Sequence, residues 1–509
     1  MCSSDLDELI DHSLLRSWTT PQGHVRFGMY ESIREYGLSR LRAQGQEAAT
    51  RLRLVRCFAS WGRPARLDRL DGADGMDELV VRSSERQNLL QAVPWAVEAD
   101  ALEAAAECVL AVEPVYEVEG PLPDAMALLT SALAWHPLPP LLRARLLRAH
   151  GRVLRLGGRP EDGLVSLLKA NELVAALPVT VDTAAESARL LMAIGMSHLS
   201  AGRVDEPRAL FNDCLTFARS HHLTSLEGQA LERLAFLSNR QADPLTALAL
   251  GDEALAIFSR MGATRLMAGL QVNRGSALSS LARYAEAEET LQAAMLTCRS
   301  IGNRLDEGRA LNWLGNLVAE LGRLDEAADL YGQSIRIFRE FGYVQPLCGA
   351  LICLGDLELV MGNLDEAERL LLEGIAIAEA AFTPNAATGR CSLGVVRACQ
   401  GRWSEGCRML DDSLPLLHGK NDSDFLVLTA RRAMIAWIQG DPEEAEALRN
   451  ETNQLDERYA LPPAREAGRT VALLREVFAD PAPWRQRTDV DALAQFLLRT
   501  RLPPAHPAP

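Results

Sequence analysis

The sequence predicts an all-α protein, a right-handed superhelical solenoid of stacked helical hairpins with a period of about forty residues, led by a short N-terminal β-hairpin. Three observations predict it. Ala, Leu, Glu and Arg crowd a chain of 509 residues in which only 5% are aromatic, a composition that favours helix over sheet. Glycine recurs on a lattice of about forty at Gly202, Gly322, Gly362, Gly401 and Gly440. A second set, Gly262, Gly302 and Gly342, repeats at the same interval in register with the first.

At the N-terminus, "SLLRSW", a "TTPQG" turn and "HVRFGM" predict a hairpin of Ser13–Trp18 with His24–Met29. A helix from Tyr30 to about Ala43 follows and completes a first unit, 1–45. Residues 46–142 read as a helical linker with a degenerate hairpin around 96–135, and about eight hairpins fill 143–460. The unit 308–342 shows the physics. In "GRALNWLGNLVAELG", Leu311, Leu314, Leu317, Val318 and Leu321 fall at helical spacing before Gly322, a left-handed stop. "RLDEAADLYGQSIRIFREFG" restarts at once, with Asp325 and Glu326 in the first turn, where the helix dipole favours anions. Gly315 and Ala327 are small enough to let the two helices cross closely, with Leu311, Leu314, Tyr331 and Ile335 filling the space around them. Each hairpin leaves an apolar face that only a neighbour can cover, hence the stacking. Capping helices are expected over 461–501, and "LPPAHPAP" (502–509) is expected to be disordered because its prolines suit no packed helix.

Composition excludes several classes. A net charge of −15 is the wrong sign for general nucleic-acid binding, and only two of 53 basic residues, Lys169 and Lys420, are lysine. No apolar run is read as long enough to cross a bilayer, and the acidic N-terminus has no signal-peptide pattern. A cytoplasmic protein is expected. The ten cysteines contain no CxxC, and Cys391, Cys399 and Cys407 are spaced by eight, which does not stack them on one helix face. Buried reduced thiols are expected rather than zinc or disulfides. His221-His222 lacks a third ligand and reads as a pair in a hairpin corner. The recurrent "LDEA" carboxylates mark helix starts, and no GxSxG, HExxH or HRD motif is present. No enzyme activity, cofactor or metal is expected.

The repeat unit resembles the tetratricopeptide repeat: a Leu-Gly pair, a Gly seven on, an Ala five later and an aromatic four after that. Here these are Leu314-Gly315, Gly322, Ala327 and Tyr331, kept in part as Leu354-Gly355, Gly362, Ala367 and Leu371, and as Ile194-Gly195, Gly202 and Phe211. Pro207 departs from it, and the period of about forty exceeds the usual ~34. HEAT repeats share such a period but lack this spacing. At the other end, "LIDHSLL" followed by "RFGMYESIREYGLSRL" resembles the close of the winged-helix domain in bacterial signal-transduction ATPases of the STAND type, where it follows an NB-ARC nucleotide domain. "ERQNLLQAVPWAVE" (85–98) resembles the segment that introduces their helical repeats. Together these span nearly the whole chain but only the C-terminal half of such a protein, so Met1 is expected to fall within a domain whose front lies elsewhere. No P-loop accompanies them: "GK" at 419–420 is followed by Asn421-Asp422 and lacks the required glycine before it.

What the resemblance implies is a protein-interaction and sensor module, the regulatory arm of a STAND-like signalling or transcription-regulatory system without its own ATPase. Its partner would be a protein or peptide, with an NB-ARC-type ATPase as a candidate, and neither membrane nor nucleic acid. The alternatives are a stand-alone repeat scaffold and, more weakly, a DNA-binding transcription regulator. In such arrays the first helix of each hairpin lines the concave groove. Counted from the Leu-Gly pair, Gln229, Glu232, Asn273, Arg309, Asn312, Asn316 and Asp356 face it and could grip an extended peptide. Arg309 and Asn312 are expected to be exposed. The competing reading of these seven is plain solvated helix surface. Arg265, Arg304 and Arg309 suit an acidic partner, or serve solubility alone.

Overall fold

A computed structural model describes residues 3–19, 25–203, 205–241, 243–381, 385–417, 422–459 and 465–501. The expected tail, 502–509, and the hairpin turn lie outside them. Helix α1 (Ser3–Asp11) precedes the two antiparallel strands β1 (Arg16–Thr19) and β2 (Val25–Gly28), with Arg16 opposite Gly28, and α2 (Glu31–Ala43) follows. The first strand starts later than expected: Ser13 turns the chain at a φ of 56°, and the amides of Leu14 and Leu15 still close onto the end of α1. No residue of α2 is buried, and Trp18, Phe27, Met29, Tyr30 and Tyr36 are exposed.

Next come α3 (Glu47–Ala59), the short α4 (Pro64–Leu67), a 3-10 turn (Asp68–Asp71), α5 (Gly75–Ser84), α6 (Arg86–Glu98), α7 (Leu102–Glu119) and α8 (Leu122–Leu133). Helix α7 keeps most of its glutamates to one side and buries eleven of its eighteen residues, which makes it a core helix. The buried Arg82 fastens the preceding turns to it, donating to the carbonyls of Ala111 and Trp61, each at 2.8 Å.

Eight hairpins then stack in order, as the period predicts. They pair α9 (Pro140–Leu156) with α10 (Pro160–Ala175), α11 (Val181–Ser200) with α12 (Asp205–Ser220), and α13 (Thr224–Arg240) with α14 (Pro244–Met261). α15 (Thr264–Ser280) pairs with α16 (Tyr284–Ser300), α17 (Arg304–Glu320) with α18 (Leu324–Phe341), and α19 (Val344–Met361) with α20 (Leu364–Ala380). The last two are α21 (Asn385–Cys399) with α22 (Trp403–Ser413) and α23 (Asp422–Gln439) with α24 (Pro442–Tyr459). Helices α25 (Glu466–Ala479), α26 (Ala482–Arg485) and α27 (Asp489–Arg501) complete the chain.

The crossing inside each hairpin is as tight as the small residues suggest. A Cβ on Gly315 would sit 2.7 Å from the Tyr331 ring, and one on Gly275 2.4 Å from Leu291. The glycine corners adopt the left-handed conformation, with φ of 71° at Gly302 and 78° at Gly322. Among the described residues of the eight hairpins, two corners reach it without glycine, Ala282 at 57° and His222 at 55°, as does Asp100 at 54° between α6 and α7. His222 thus turns the chain between α12 and α13, while the His221 ring packs 4.3 Å from that of Phe217.

One expectation needs correcting. Helix α19 is, by length and composition, apolar enough to cross a membrane, with a mean hydropathy of 1.5. It escapes a search for unbroken apolar runs because Asp356 and Glu358 interrupt it. In the fold it is an interior helix of the stack, with Cys348, Ala350, Leu351 and Leu357 buried.

Candidate partner-binding groove

Contacts between distant parts of the chain are made largely by the first helices of the hairpins, which places those helices on the inner wall. Ser200 at the end of α11 donates to the side chain of Gln345 at the start of α19 (3.1 Å). The seven predicted residues all lie on this wall, yet none projects freely from it. Glu232 and Asn273 are buried, and the other five are half-buried. Asn273 donates to Glu232 (2.9 Å) and accepts from Arg309 (2.7 Å), and Arg309 also pairs with Asp306 (2.7 Å). This ladder ties α13, α15 and α17 together. Asn316 accepts from the Tyr331 hydroxyl at 2.6 Å, whereas the buried oxygen of Asn312 has no hydrogen-bond partner among the described residues. Arg309 and Asn312 are therefore less exposed than expected, because opposite walls of the superhelix approach each other closely.

Two segments of the chain close the groove along its edges. On the edge formed by the N-terminal halves of the first helices lie residues 60–123. Asp71, in the 3-10 turn, takes hydrogen bonds from Arg265 Nη2 (2.6 Å), Gln229 Nε2 (2.9 Å) and Ser225 Oγ (3.2 Å). Arg265 Nε donates to the Leu70 carbonyl at 3.1 Å, and Asp68 pairs with Arg189 at 2.5 Å. Farther along, the Tyr343 hydroxyl donates to the Glu117 carbonyl (3.0 Å), and Pro123 lies 3.5 Å from where a Cβ on Gly342 would be. Of the seven predicted residues, only Gln229 meets this edge. Ser225, Arg189 and the two aspartates went unread, since no local pattern pairs a turn near residue 70 with helices more than a hundred residues away.

On the opposite edge, α25 and α27 fold back over the C-terminal halves of α17 and α19. Asp356 is held by Arg431 (2.6 Å) and Arg501 (3.1 Å), both of which also pair with Glu466, and Arg469 pairs with Glu320 at 3.1 Å. Burial raises the Asp356 carboxyl, but the guanidinium charges of Arg431 and Arg501 outweigh it and hold the group at about 2. At Glu466 burial wins, and its carboxyl is raised.

Between the edges, burial and the nearby guanidinium groups of Arg233, Arg152 and Arg309 lower Arg155 to about 9, a sign of how near the facing walls come. Among the described residues no group of three or more His, Cys, Asp and Glu is placed to hold a metal ion. A separate cleft of about 560 Å³, lined by Leu147, His150, Ser166 and Lys169, lies between α9 and α10 and holds none of the seven residues.

Residues 234–475 match the family described as the MalT-like TPR region. A Rap protein complexed with Competence and Sporulation Factor has a similar structure, with a TM-score of 0.54 and 13% identity over 71% of this chain and 99% of that one. At that identity the likeness is one of fold. A STAND protein with a tetratricopeptide repeat sensor from Pyrococcus horikoshii aligns at a TM-score of 0.42 and 14% identity, over 81% of this chain and 58% of that one. No curated protein matches by sequence.

Proposed function

Starting from a tetratricopeptide-repeat protein that resembles the C-terminal part of STAND regulators, we propose that the chain is a protein-interaction and sensor module, the regulatory arm of a STAND-like signalling system. The observation that carries this reading is the pairing of two elements in one chain: the hairpin and helix of Arg16–Ala43, and an array matching the MalT-like TPR region. The first resembles the close of a winged-helix domain, and its exposed Trp18, Phe27 and Tyr30 suit packing against an NB-ARC-type ATPase. The second offers a groove whose inner wall carries amide, carboxylate and guanidinium groups fitted to a protein or peptide partner. The module works by binding, in the cytoplasm, and the ATPase it answers to supplies the chemistry.

The test is recovery of partners from native cytosol by the tagged chain and by an Arg309→Ala/Asn312→Ala variant. Recovery should drop more than tenfold in the variant, with an NB-ARC-type ATPase among the proteins lost. Because Arg309 ties three helices together, the variant's melting temperature is measured alongside. Equal recovery by both proteins sinks the reading.

A further inference from the structure

The turn at Asp68–Asp74 occupies the inner wall in the way a bound peptide would. Its partners come one or two at a time from three successive first helices: Arg189 of α11, Ser225 and Gln229 of α13, and Arg265 of α15. The two nitrogens of Arg265 read a side-chain carboxylate and a main-chain carbonyl together, the fork geometry that suits guanidinium to a peptide. Both Asp68 and Asp71 are engaged, three residues apart. Among the described residues, neither Arg189 nor Arg265 forms a second ion pair.

The turn is also built to leave without unfolding what carries it. Leu70, its one buried apolar side chain, packs on Leu79, Val115 and Val118, which belong to the same N-terminal segment and not to the array. Glu78 holds Arg66 and Arg69, each at 3.1 Å, so the turn keeps its shape through its own ion pairs. What fastens it to the groove wall is chiefly polar, with Asp68 half-exposed and Asp71, Arg189 and Arg265 each about a fifth exposed; Ala73 and Met76 are the apolar touches, against Gly262 and beside Ala268, Cys298 and Ile301.

We infer that Asp68–Asp74 is a tethered stand-in for the partner: the wall formed by Arg189, Ser225, Gln229 and Arg265 takes an acidic peptide segment with carboxylates three residues apart, and the turn holds that site until the segment displaces it. This rests on the reading of the array as a sensor module and adds the chemistry of what is sensed and how the resting site is covered.

The experiment uses a labelled peptide of residues 66–78, RLDRLDGADGMDE, as the probe, added to the full chain. An Asp68→Ala/Asp71→Ala protein, whose own turn no longer competes, should bind it at least tenfold more tightly than the wild type. A peptide in which Asp68 and Asp71 alone are replaced by asparagine should not bind, and adding Arg265→Ala to the protein should abolish binding. Equal or absent binding by the wild type and the double variant overturns the inference. Should the double variant fold poorly, hydrogen exchange on the single Arg265→Ala protein decides. Amides of 68–76 should exchange faster while those of 466–501 stay as they were, and unchanged exchange at 68–76 rejects the tether. The outcome is separable from the partner-recovery experiment. If Arg309→Ala/Asn312→Ala loses its partner while the freed wall ignores the peptide, the sensor reading survives and this inference falls.

Discussion

The two edges of the groove are closed by the same chain through different chemistry. On the C-terminal edge the charges are nearly dry: the Arg431 side chain is 1% exposed, Arg469 7% and Glu466 11%. Each charge there has lost its water and depends on its partners, so removing one leaves the others stranded. On the N-terminal edge Asp68 is 51% exposed, and Arg189, Arg265 and Asp71 keep about a fifth of their surface. The Asp68 pair exchanges protein for water at little net cost, and the Asp71 pair, wetter than Arg431 and its partner Glu466, at a moderate one. One edge is therefore a structural weld and the other a latch, although both look like ion pairs on a helix wall.

The comparison can be broken most directly at Asp356. Asp356→Asn should cost about 3 kcal/mol, because the buried Arg431 and Arg501 are left to share the single carboxylate of Glu466; urea denaturation would measure it, and a loss below about 1 kcal/mol would remove the weld. The charge also has a pH signature. A carboxyl held at about 2 in the fold and near ~3.9 in the unfolded chain contributes stability that is fully present above about pH 4 and lost as the pH falls toward 2. The stability gap between wild type and Asp356→Asn should accordingly shrink by about 2 kcal/mol across that window. Glu466, raised by burial, works in the opposite sense above pH 4, which is why the gap between variants is more telling than either curve alone.

Gly315→Leu calibrates the scale within the array itself. Its side chain would enter the Tyr331 ring, and overpacking of roughly 1–3 kcal/mol should lower the melting temperature by several degrees. At the latch, Arg265→Ala should cost only about 1 kcal/mol, measured by the same denaturation, and a loss as large as that at Asp356 would erase the distinction. The smallest effect separates two corners of equal backbone. Gly262 and Gly362 have φ of 66° and 85°, so alanine is strained at both, roughly 1 kcal/mol each. A Cβ on Gly262 would also press on Ala73 at 3.1 Å, whereas Gly362 has open space. Gly262→Ala should be the worse by a few tenths of a kcal/mol, and indistinguishable variants would mean that the turn does not bear on that corner.

What the sequence disclosed and what it withheld divide by distance along the chain. The hairpin count, the crossing at Gly315 and the turns at Gly322 and Gly342 are local consequences of residue size and backbone freedom, and they were legible. Ala282 was missed as a corner because glycine was the marker followed, while the fold needs only a residue that tolerates a positive φ; His222 was found there because its pairing with His221 drew notice, not because of its backbone. The groove wall was legible as a face, since helical periodicity fixes which residues share it. Its occupants were not. Arg265 was read as suited to an acidic partner, and its acid turned out to be Asp71 of the same chain, a pairing that no periodicity encodes.

The contact between Tyr343 and Glu117 joins residues 226 apart, and that between Arg469 and Glu320 residues 149 apart. A solenoid whose units touch only their neighbours melts like a one-dimensional chain of switches, fraying from whichever end is weaker. Here each end is stapled to the middle, so no terminal hairpin can peel away without first breaking a bond to a unit near the centre. The stack behaves less like a spring of independent coils than like a closed ring, gaining all-or-none unfolding at the expense of slow assembly, since its long loops must close before the staples reward them.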